Sequence, residues 1–158
     1  MGISHYQEVV IQYITSDPAM LISEEYYITF EYAAGRYKTF WVDALAVDIR
    51  QYILYLVEIS YAKKPRALTR KMNEYAAYED NIRAALAGGR GISEAWQLRP
   101  WAFILESASP YVLTRLERDA APKLTFIEHT PFPWIYEKRR YEGSEPGKPY
   151  AAVPREYQ

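Results

Sequence analysis

Two acidic residues lie inside strongly apolar segments of this chain, where an acid is out of place. Asp43 interrupts the apolar run 41–47, and Glu58 interrupts the run 53–59. An ionised carboxylate within a buried strand is costly unless a cation or several hydrogen-bond donors compensate its charge. A divalent metal ion shared by the two acids would account for both. The alternative is a buried ion pair with Arg66 or Lys71.

The two acids belong to neighbouring strands of a predicted antiparallel meander. A capping pattern and helical spacing predict a helix over residues 4–16, followed by strands over 25–32, 37–49 and 53–62. Alternate residues of a strand share a face, so Glu58 and Ser60 should point the same way. Asp43 and Glu58 can then come within a few ångströms. With the backbone carbonyl of Ile59 they form a set of hard oxygen ligands suited to Mg²⁺ or Mn²⁺.

The remaining elements predict an α/β sandwich. Apolar residues recur at helical spacing from about 64 to 86, and a strand is predicted over 99–106. Ser109 is predicted as the N-cap of a short helix reaching about residue 119, and a last strand covers 124–128. The order is therefore α-β-β-β-α-β-α-β around a mixed central sheet. Residues 1–130 form one domain, and residues 131–158, which contain Pro and Gly without periodicity, form an irregular tail.

Composition and charge narrow the function classes. The chain of 158 residues has a net charge of −1 and no cysteine, so thiolate metal sites and disulfides are excluded and a cytoplasmic location is expected. No apolar run is long enough for a membrane span. Residues 1–31 carry five acids and no Lys or Arg, whereas residues 63–90 carry seven basic residues against three acids. The basic segment could face an anionic polymer, or could simply be a solvated helix face.

Aromatic residues are unusually frequent, with 16 tyrosines and 4 tryptophans. Aromatic side chains fill cores and interfaces, and they also stack on nucleobases. Most of them fall in predicted strands and helix faces, so core packing is the expectation. Tyr-rich surfaces and the C-terminal tail are further candidates for contact with a protein partner or a second copy of the chain.

The acids and the element order together resemble a known family. A helix, three meandering strands with Asp on the second and Glu on the third, then a helix and a further strand, are similar to the PD-(D/E)XK nucleases, which have the restriction-endonuclease-like fold. The resemblance covers residues 4–128. Asp43 and Glu58 match the two acids of the family, with fourteen residues between them. The phrase Leu-Val-Glu-Ile-Ser at 56–60 resembles the family's hydrophobic-Glu-Val-Lys strand, and Glu8 could be the additional helical acid of some members.

The resemblance implies a metal-dependent nuclease that hydrolyses DNA phosphodiester bonds. Asp43 and Glu58 would be catalytic and would hold Mg²⁺ or Mn²⁺ together with the Ile59 carbonyl. Ser60 stands where the family carries its lysine. Lys71, on the following helix, is the candidate for a lysine that has moved. Phosphate contacts are expected from the basic residues Lys64 and Arg70.

Two other classes of function stay open. Since Ser60 replaces the family lysine, the chain could be an inactive relative that serves as a nucleic-acid-binding or assembly module. It could also be an unrelated small α+β interaction protein, whose aromatic surfaces and proline-containing tail form an interface. Metal binding and cleavage of DNA separate these three hypotheses.

Overall fold

Helix α1 (Gly2–Thr15) is the first element of a computed structural model of the protein, in which five strands form one sheet. The structure describes the backbone of residues 2–88, 95–117 and 120–129, and the side chains of these residues except those of 2–6 and 129. The predicted tail 131–158 lies outside the described residues. In chain order the further elements are β1 (Met20–Ala33), β2 (Arg36–Asp48), β3 (Ile53–Ile59), α2 (Arg66–Ala77), α3 (Glu79–Ala87), β4 (Gln97–Ile104), α4 (Ser109–Arg115) and β5 (Lys123–Phe126).

The sheet is mixed, and its strands follow one another in chain order from β1 to β5. Strands β1, β2 and β3 are antiparallel neighbours, whereas β4 runs parallel to β3 and β5 parallel to β4. A parallel connection needs a crossover, which α2 and α3 supply between β3 and β4. The predicted α/β class and mixed sheet are confirmed. No helix among the described residues is long and apolar enough to cross a membrane.

Two apolar layers hold the helices on the sheet. One lies under α2 and α3, where buried Leu68, Met72 and Ile82 meet strand residues such as Leu54 and Leu56. The other lies under α1, where Val10 and Ile14 pack with strand residues from β2, β3 and β4. Strand β3 is buried on both faces because it lies at the centre of the sheet.

Three local expectations need correction. The predicted helix 64–86 is two helices, which divide at Tyr78, whose φ of −112° is outside the helical range. Its predicted apolar residues are nevertheless buried in one layer. Ser109 is the first residue of α4 and Ala108 is its N-cap, because a 3₁₀ turn at Glu106–Ala108 leads directly into the helix. Strand β1 is also longer than predicted, since it begins at Met20.

Strand β2 changes the face that its side chains use at Asp43. Phe40, Val42 and Leu45 all contribute to the layer under α2 and α3, whereas Ala44 contributes to the layer under α1. Because strand faces alternate with period two, Val42 and Leu45 can share a layer only if the strand twists sharply between them. Alternation from Leu45 places Asp43 on the side of the sheet where Glu58 lies, and the change of face turns Val42 to the same side.

Strand β1 makes the same change of face beside it. Ile22 packs in the layer under α1, whereas Ile28 packs in the layer under α2 and α3. Between them, Glu25 has a φ of 51°, a left-handed conformation that non-glycine residues rarely adopt. The register places Glu25 opposite Asp43, because Glu24 pairs with Ala44 and Tyr26 with Val42. The two strands therefore twist at the same level.

Replacing Met72 by Asp tests the packing of α2. Met72 is fully buried, so the new carboxylate would lose its hydration without gaining a partner, and we expect the free energy of unfolding to fall by about 3–5 kcal/mol. Ala77→Asp, on the exposed end of the same helix, is the control and should change stability by less than about 1 kcal/mol. Urea denaturation measures both. Equal midpoints for the two variants would show that the face of α2 is wrongly assigned.

Candidate functional site

An open cleft of about 300 Å³ begins where the pairing of β2 with β3 ends. Ala44 and Val57 are the last regular pair of the two strands on that side. Asp43 and Glu58 come next and line the cleft together with Ile59 and Ser60. The opposite wall is the start of α2 and the residues before it, including Lys64, Arg66 and Lys71. The structure therefore brings the two predicted acids and the predicted lysine to one place.

The two acids replace the missing strand pairing with side-chain hydrogen bonds. The backbone N–H of Ile59 donates to Asp43 Oδ2 at 2.9 Å, and the backbone N–H of Asp43 donates to Glu58 Oε2 at 3.3 Å. Each carboxylate thus binds the backbone of the neighbouring strand. From the other side, Gln7 Nε2 of α1 donates to the Asp43 carbonyl at 3.2 Å. These bonds fix the two strands at the point where they separate.

Glu58 is the buried centre of the site, with 4% of its surface exposed. Lys71 Nζ donates to Glu58 Oε1 at 2.9 Å, and the Tyr75 hydroxyl donates to Glu58 Oε2 at 2.8 Å. Lys71 and Tyr75 are four residues apart on α2, so they lie on the same face of the helix and reach the carboxylate together. Of the ion pairs expected as the alternative, Lys71 with Glu58 is confirmed, whereas neither Arg66 nor Asp43 forms one among the described residues.

Burial dominates the electrostatics of both acids. Loss of hydration, and then the charge of Asp43, raise the pKa of Glu58 to about 7, although Lys71 and Tyr75 both favour the charged form. Burial also raises the pKa of Asp43, against the lowering effects of the Ile59 amide and of Lys71, and the exposed Glu25 adds to the rise. Burial therefore favours the protonated form of both acids, and a cation bound between them would oppose that effect.

Lys71 joins the cleft to the backbone of β2. Besides Glu58, its ammonium binds the carbonyl of Trp41, two residues before Asp43. Its side chain is 31% exposed, so the ammonium is held in place but is accessible from the cleft. The prediction that Lys71 reaches the acid pair from α2 is confirmed. Its part in catalysis stays a prediction.

The other basic residues divide into two groups. Lys64 lines the cleft as predicted for a phosphate contact, whereas Arg70 is exposed on α2 and is not among the lining residues. Arg66, which the sequence suggested only as a partner for the acids, lines the cleft instead. Within the part of the chain that the structure describes, none of Lys63, Lys64, Arg66 and Arg70 forms an ion pair.

Two contributors were not predicted from the sequence. Tyr75 was assigned to the core, which it also joins, but its hydroxyl binds Glu58. The four-residue spacing from Lys71 is the signal that could have found it. Glu25 was not singled out because an acid in an exposed strand is ordinary. Only the register, which places it opposite Asp43, shows its relevance.

The carboxylates of Asp43 and Glu58 suit a hard divalent ion whose coordination is completed by other ligands. Among the described residues, no group of three or more His, Cys, Asp and Glu side chains could hold a metal ion. Asp43 and Glu58 provide two carboxylates on one open cleft, and Mg²⁺ is commonly held by one or two carboxylates while water and substrate phosphate complete its coordination. The residues present therefore fit such an ion. Ile59 borders the cleft, where its N–H binds Asp43.

Comparison of the chain with protein-family models, with curated proteins and with solved structures gives no match.

The raised pKa of Glu58 predicts how stability depends on pH. The folded state binds the Glu58 proton more tightly than the unfolded state, so the free energy of unfolding should fall as pH rises from about 4.5 to about 7 and then level off. The loss is about 3 kcal/mol, at about 1.4 kcal/mol for each unit of pKa difference. Glu58→Gln should remove this loss. Urea denaturation at several pH values in metal-free buffer measures it.

The matched control is Glu24→Gln, which changes an exposed glutamate on β1. Its stability should depend on pH as that of the unmodified protein does. Parallel curves for the unmodified protein and Glu58→Gln would contradict a buried, proton-binding Glu58.

Proposed function

We propose that the protein is a metal-dependent nuclease that hydrolyses phosphodiester bonds of DNA, with the restriction-endonuclease-like fold. The observation that carries the proposal is the meeting of Asp43, Glu58 and Lys71 on one open cleft, with the ammonium 2.9 Å from the Glu58 carboxylate. These are the residue types that the resemblance to the PD-(D/E)XK nucleases calls for. The lysine comes from α2, while Ser60 occupies its usual strand position.

The element order supports the same proposal. The resemblance calls for a helix, a three-stranded meander, and a crossover helix leading to a further strand beside the third. Strand β4 is parallel to β3 and adjacent to it, after the crossover by α2 and α3. The acids lie on β2 and β3 at the end where these strands separate, which leaves room for a substrate. This position of the acids at the separation of β2 and β3 supports the proposal independently of the sequence pattern.

The acidic and basic residues of the cleft, and the groups that bind the acids, each have a role in the proposed reaction. Asp43 and Glu58 would hold Mg²⁺ or Mn²⁺, which supplies a Lewis acid that activates water and offsets charge on the phosphate. The Ile59 amide orients Asp43, and Tyr75 orients Glu58. Lys71 is fixed by the Trp41 carbonyl and presents its ammonium to a phosphate that enters the cleft. Lys64 and Arg66 add positive charge at the rim, where they attract the nucleic-acid backbone.

An inactive nuclease relative is the second candidate, and one observation favours it. Both oxygens of Glu58 already have hydrogen-bond donors, Lys71 on one and Tyr75 and the Asp43 amide on the other. A metal ion must compete with the lysine for Oε1. If the lysine prevails, the cleft binds nucleic acid without cutting it.

Cleavage of plasmid and single-stranded DNA with Mg²⁺ or Mn²⁺ is the first test. Asp43→Asn and Glu58→Gln keep the size of each side chain and remove its charge, so we expect both to abolish cleavage and to weaken binding of Mn²⁺, measured by calorimetry. Cleavage that survives in both variants would contradict the proposal. Metal binding without cleavage by the unmodified protein would favour the inactive relative.

Lys71→Ala separates the role of the lysine from that of the metal. The ammonium would act on phosphate charge and water and would ligate nothing, so we expect the cleavage rate to fall about 100-fold or more while Mn²⁺ affinity is retained or rises. Lys63→Ala is the control, because Lys63 is an exposed neighbour that does not line the cleft. Equal cleavage by both variants would show that Lys71 has not replaced the family lysine.

Ser60→Lys tests the inactive alternative directly. It returns an amine to the strand position that the family uses, on the rim of the same cleft. In Lys71→Ala we expect it to restore part of the activity. If the unmodified protein never cuts and Ser60→Lys alone does, the chain is an inactive relative kept for binding.

A further inference from the structure

The β1–β2 hairpin projects past the end of β3 and has two exposed aromatic side chains on one face. Residues 36–42 of β2 pair with β1 alone, since the pairing of β2 with β3 ends at Ala44. On one side the projecting hairpin packs against the helices, through Phe30, Phe40 and Tyr78. On its other side, Tyr27 and Trp41 are exposed by 58% and 52%. Large aromatic side chains with so much exposed surface need an explanation.

Tyr27 and Trp41 form a prearranged pair. They are direct cross-strand partners, and their rings stack with centroids 5.1 Å apart and planes 23° from parallel. The next pair along the same face is Thr29 and Thr39, whose hydroxyl oxygens are 3.0 Å apart. Backbone pairing on the hairpin and the ring stacking both restrain the side chains, so little conformational entropy is lost when another planar group stacks on them.

The face carries aromatic side chains, whereas the basic residues line the cleft on the other side of the sheet. The three pairs on this face are Tyr27 with Trp41, Thr29 with Thr39, and Glu31 with Tyr37, and none is Lys or Arg. Lys64 and Arg66 lie on the rim of the cleft and Lys71 within it, bound to the Trp41 carbonyl. Sites for single-stranded nucleic acid combine these two components, a cationic path for phosphates and aromatic rings on which bases stack.

We propose that Tyr27 and Trp41 form a stacking platform for unpaired bases of a single-stranded nucleic acid whose phosphates enter the Asp43–Glu58 cleft. This rests on the proposed function for the cleft, and it specifies the substrate as single-stranded or locally unpaired. Trp41 is two residues from Asp43 along β2, so their backbone atoms are about 7 Å apart, with the Trp41 ring and the Asp43 carboxylate on opposite faces of the sheet. Because β3 ends beside Asp43, a flexible strand can pass over its end and contact both faces. A duplex cannot present bases to a ring in this way, because its bases are paired and stacked.

Binding without cleavage tests the platform. A fluorescein-labelled oligothymidylate and a labelled blunt duplex of the same length are titrated with protein in EDTA, and fluorescence anisotropy reports binding. We expect the unmodified protein to prefer the single strand, and Trp41→Leu to weaken that binding about 10-fold, the loss of one base–aromatic stack. Trp41→Phe should keep most of the affinity because it retains a ring. Tyr27→Leu should lose less than Trp41→Leu.

Tyr52→Leu is the matched control. Tyr52 is as exposed as Tyr27, at 59%, but it lies in the turn between β2 and β3, at the other end of these strands. Its removal should leave single-strand binding unchanged. Binding of Trp41→Leu as tight as that of the unmodified protein, or preference for the duplex, would overturn the platform, as would no binding at all.

A second copy of the chain is the competing occupant of this face. Sedimentation of the unmodified protein and of Trp41→Leu decides it, because a dimer that Trp41→Leu abolishes would overturn the assignment to nucleic acid.

The nuclease proposal and the platform proposal fail independently of each other. If no DNA is cut under any condition but Trp41→Leu still lowers single-strand affinity, the nuclease fails and the platform stands. If cleavage depends on Asp43 and Glu58 but not on Trp41, the platform fails alone.

Discussion

The buried charge of Glu58 is the constraint on which the rest of the site depends. A carboxylate that is 4% exposed at the centre of the sheet would destabilise the fold by several kcal/mol if it had no partner. Three donors meet it: the Lys71 ammonium, the Tyr75 hydroxyl and the Asp43 amide. Two come from α2 and one from β2. The position of α2 over the sheet and the separation of β2 from β3 are therefore both coupled to this one side chain.

The packing of the β1–β2 hairpin against α2 and α3 depends on the twist that the two strands share. Alternation from Leu45 places Asp43 on the α2 side with Glu58, and in a regular strand Val42 would then point to the opposite face, towards α1. The change of face at Asp43, matched on β1 by the left-handed conformation of Glu25, keeps both residues on the α2 side. Backbone strain is tolerated where its surroundings fix it, and it is often found at functional sites. Here the hydrogen bonds from Gln7 and Ile59 hold the strained region.

The sequence predicted the parts of this arrangement that follow from period and composition. Apolar spacing predicted the five strands, the burial of Leu68 and Met72, and the α/β class with a mixed sheet. The two acids stood out because the runs around them are apolar. The division of the helix at Tyr78 was not predicted, because the apolar spacing continues across it. The change of face at Asp43 was not predictable either, since it depends on cross-strand register and on the φ of Glu25 rather than on residue type. Strand β3 ends at Ile59, three residues earlier than the pattern predicted.

The same geometry explains how a lysine on α2 can stand in for one at Ser60. A lysine at position 60 would leave β3 on the Glu58 face and approach the carboxylate from within the sheet. Helix α2 packs over that face, so Lys71 approaches the same carboxylate from above, with Tyr75 one turn later on the other oxygen. A long side chain on a helix is mobile unless it is held, and the Trp41 carbonyl holds this one. The carbonyl that fixes the lysine belongs to the residue whose ring forms the exposed stack with Tyr27. The charge at the cleft and the aromatic face of the hairpin are thus joined through one residue of β2.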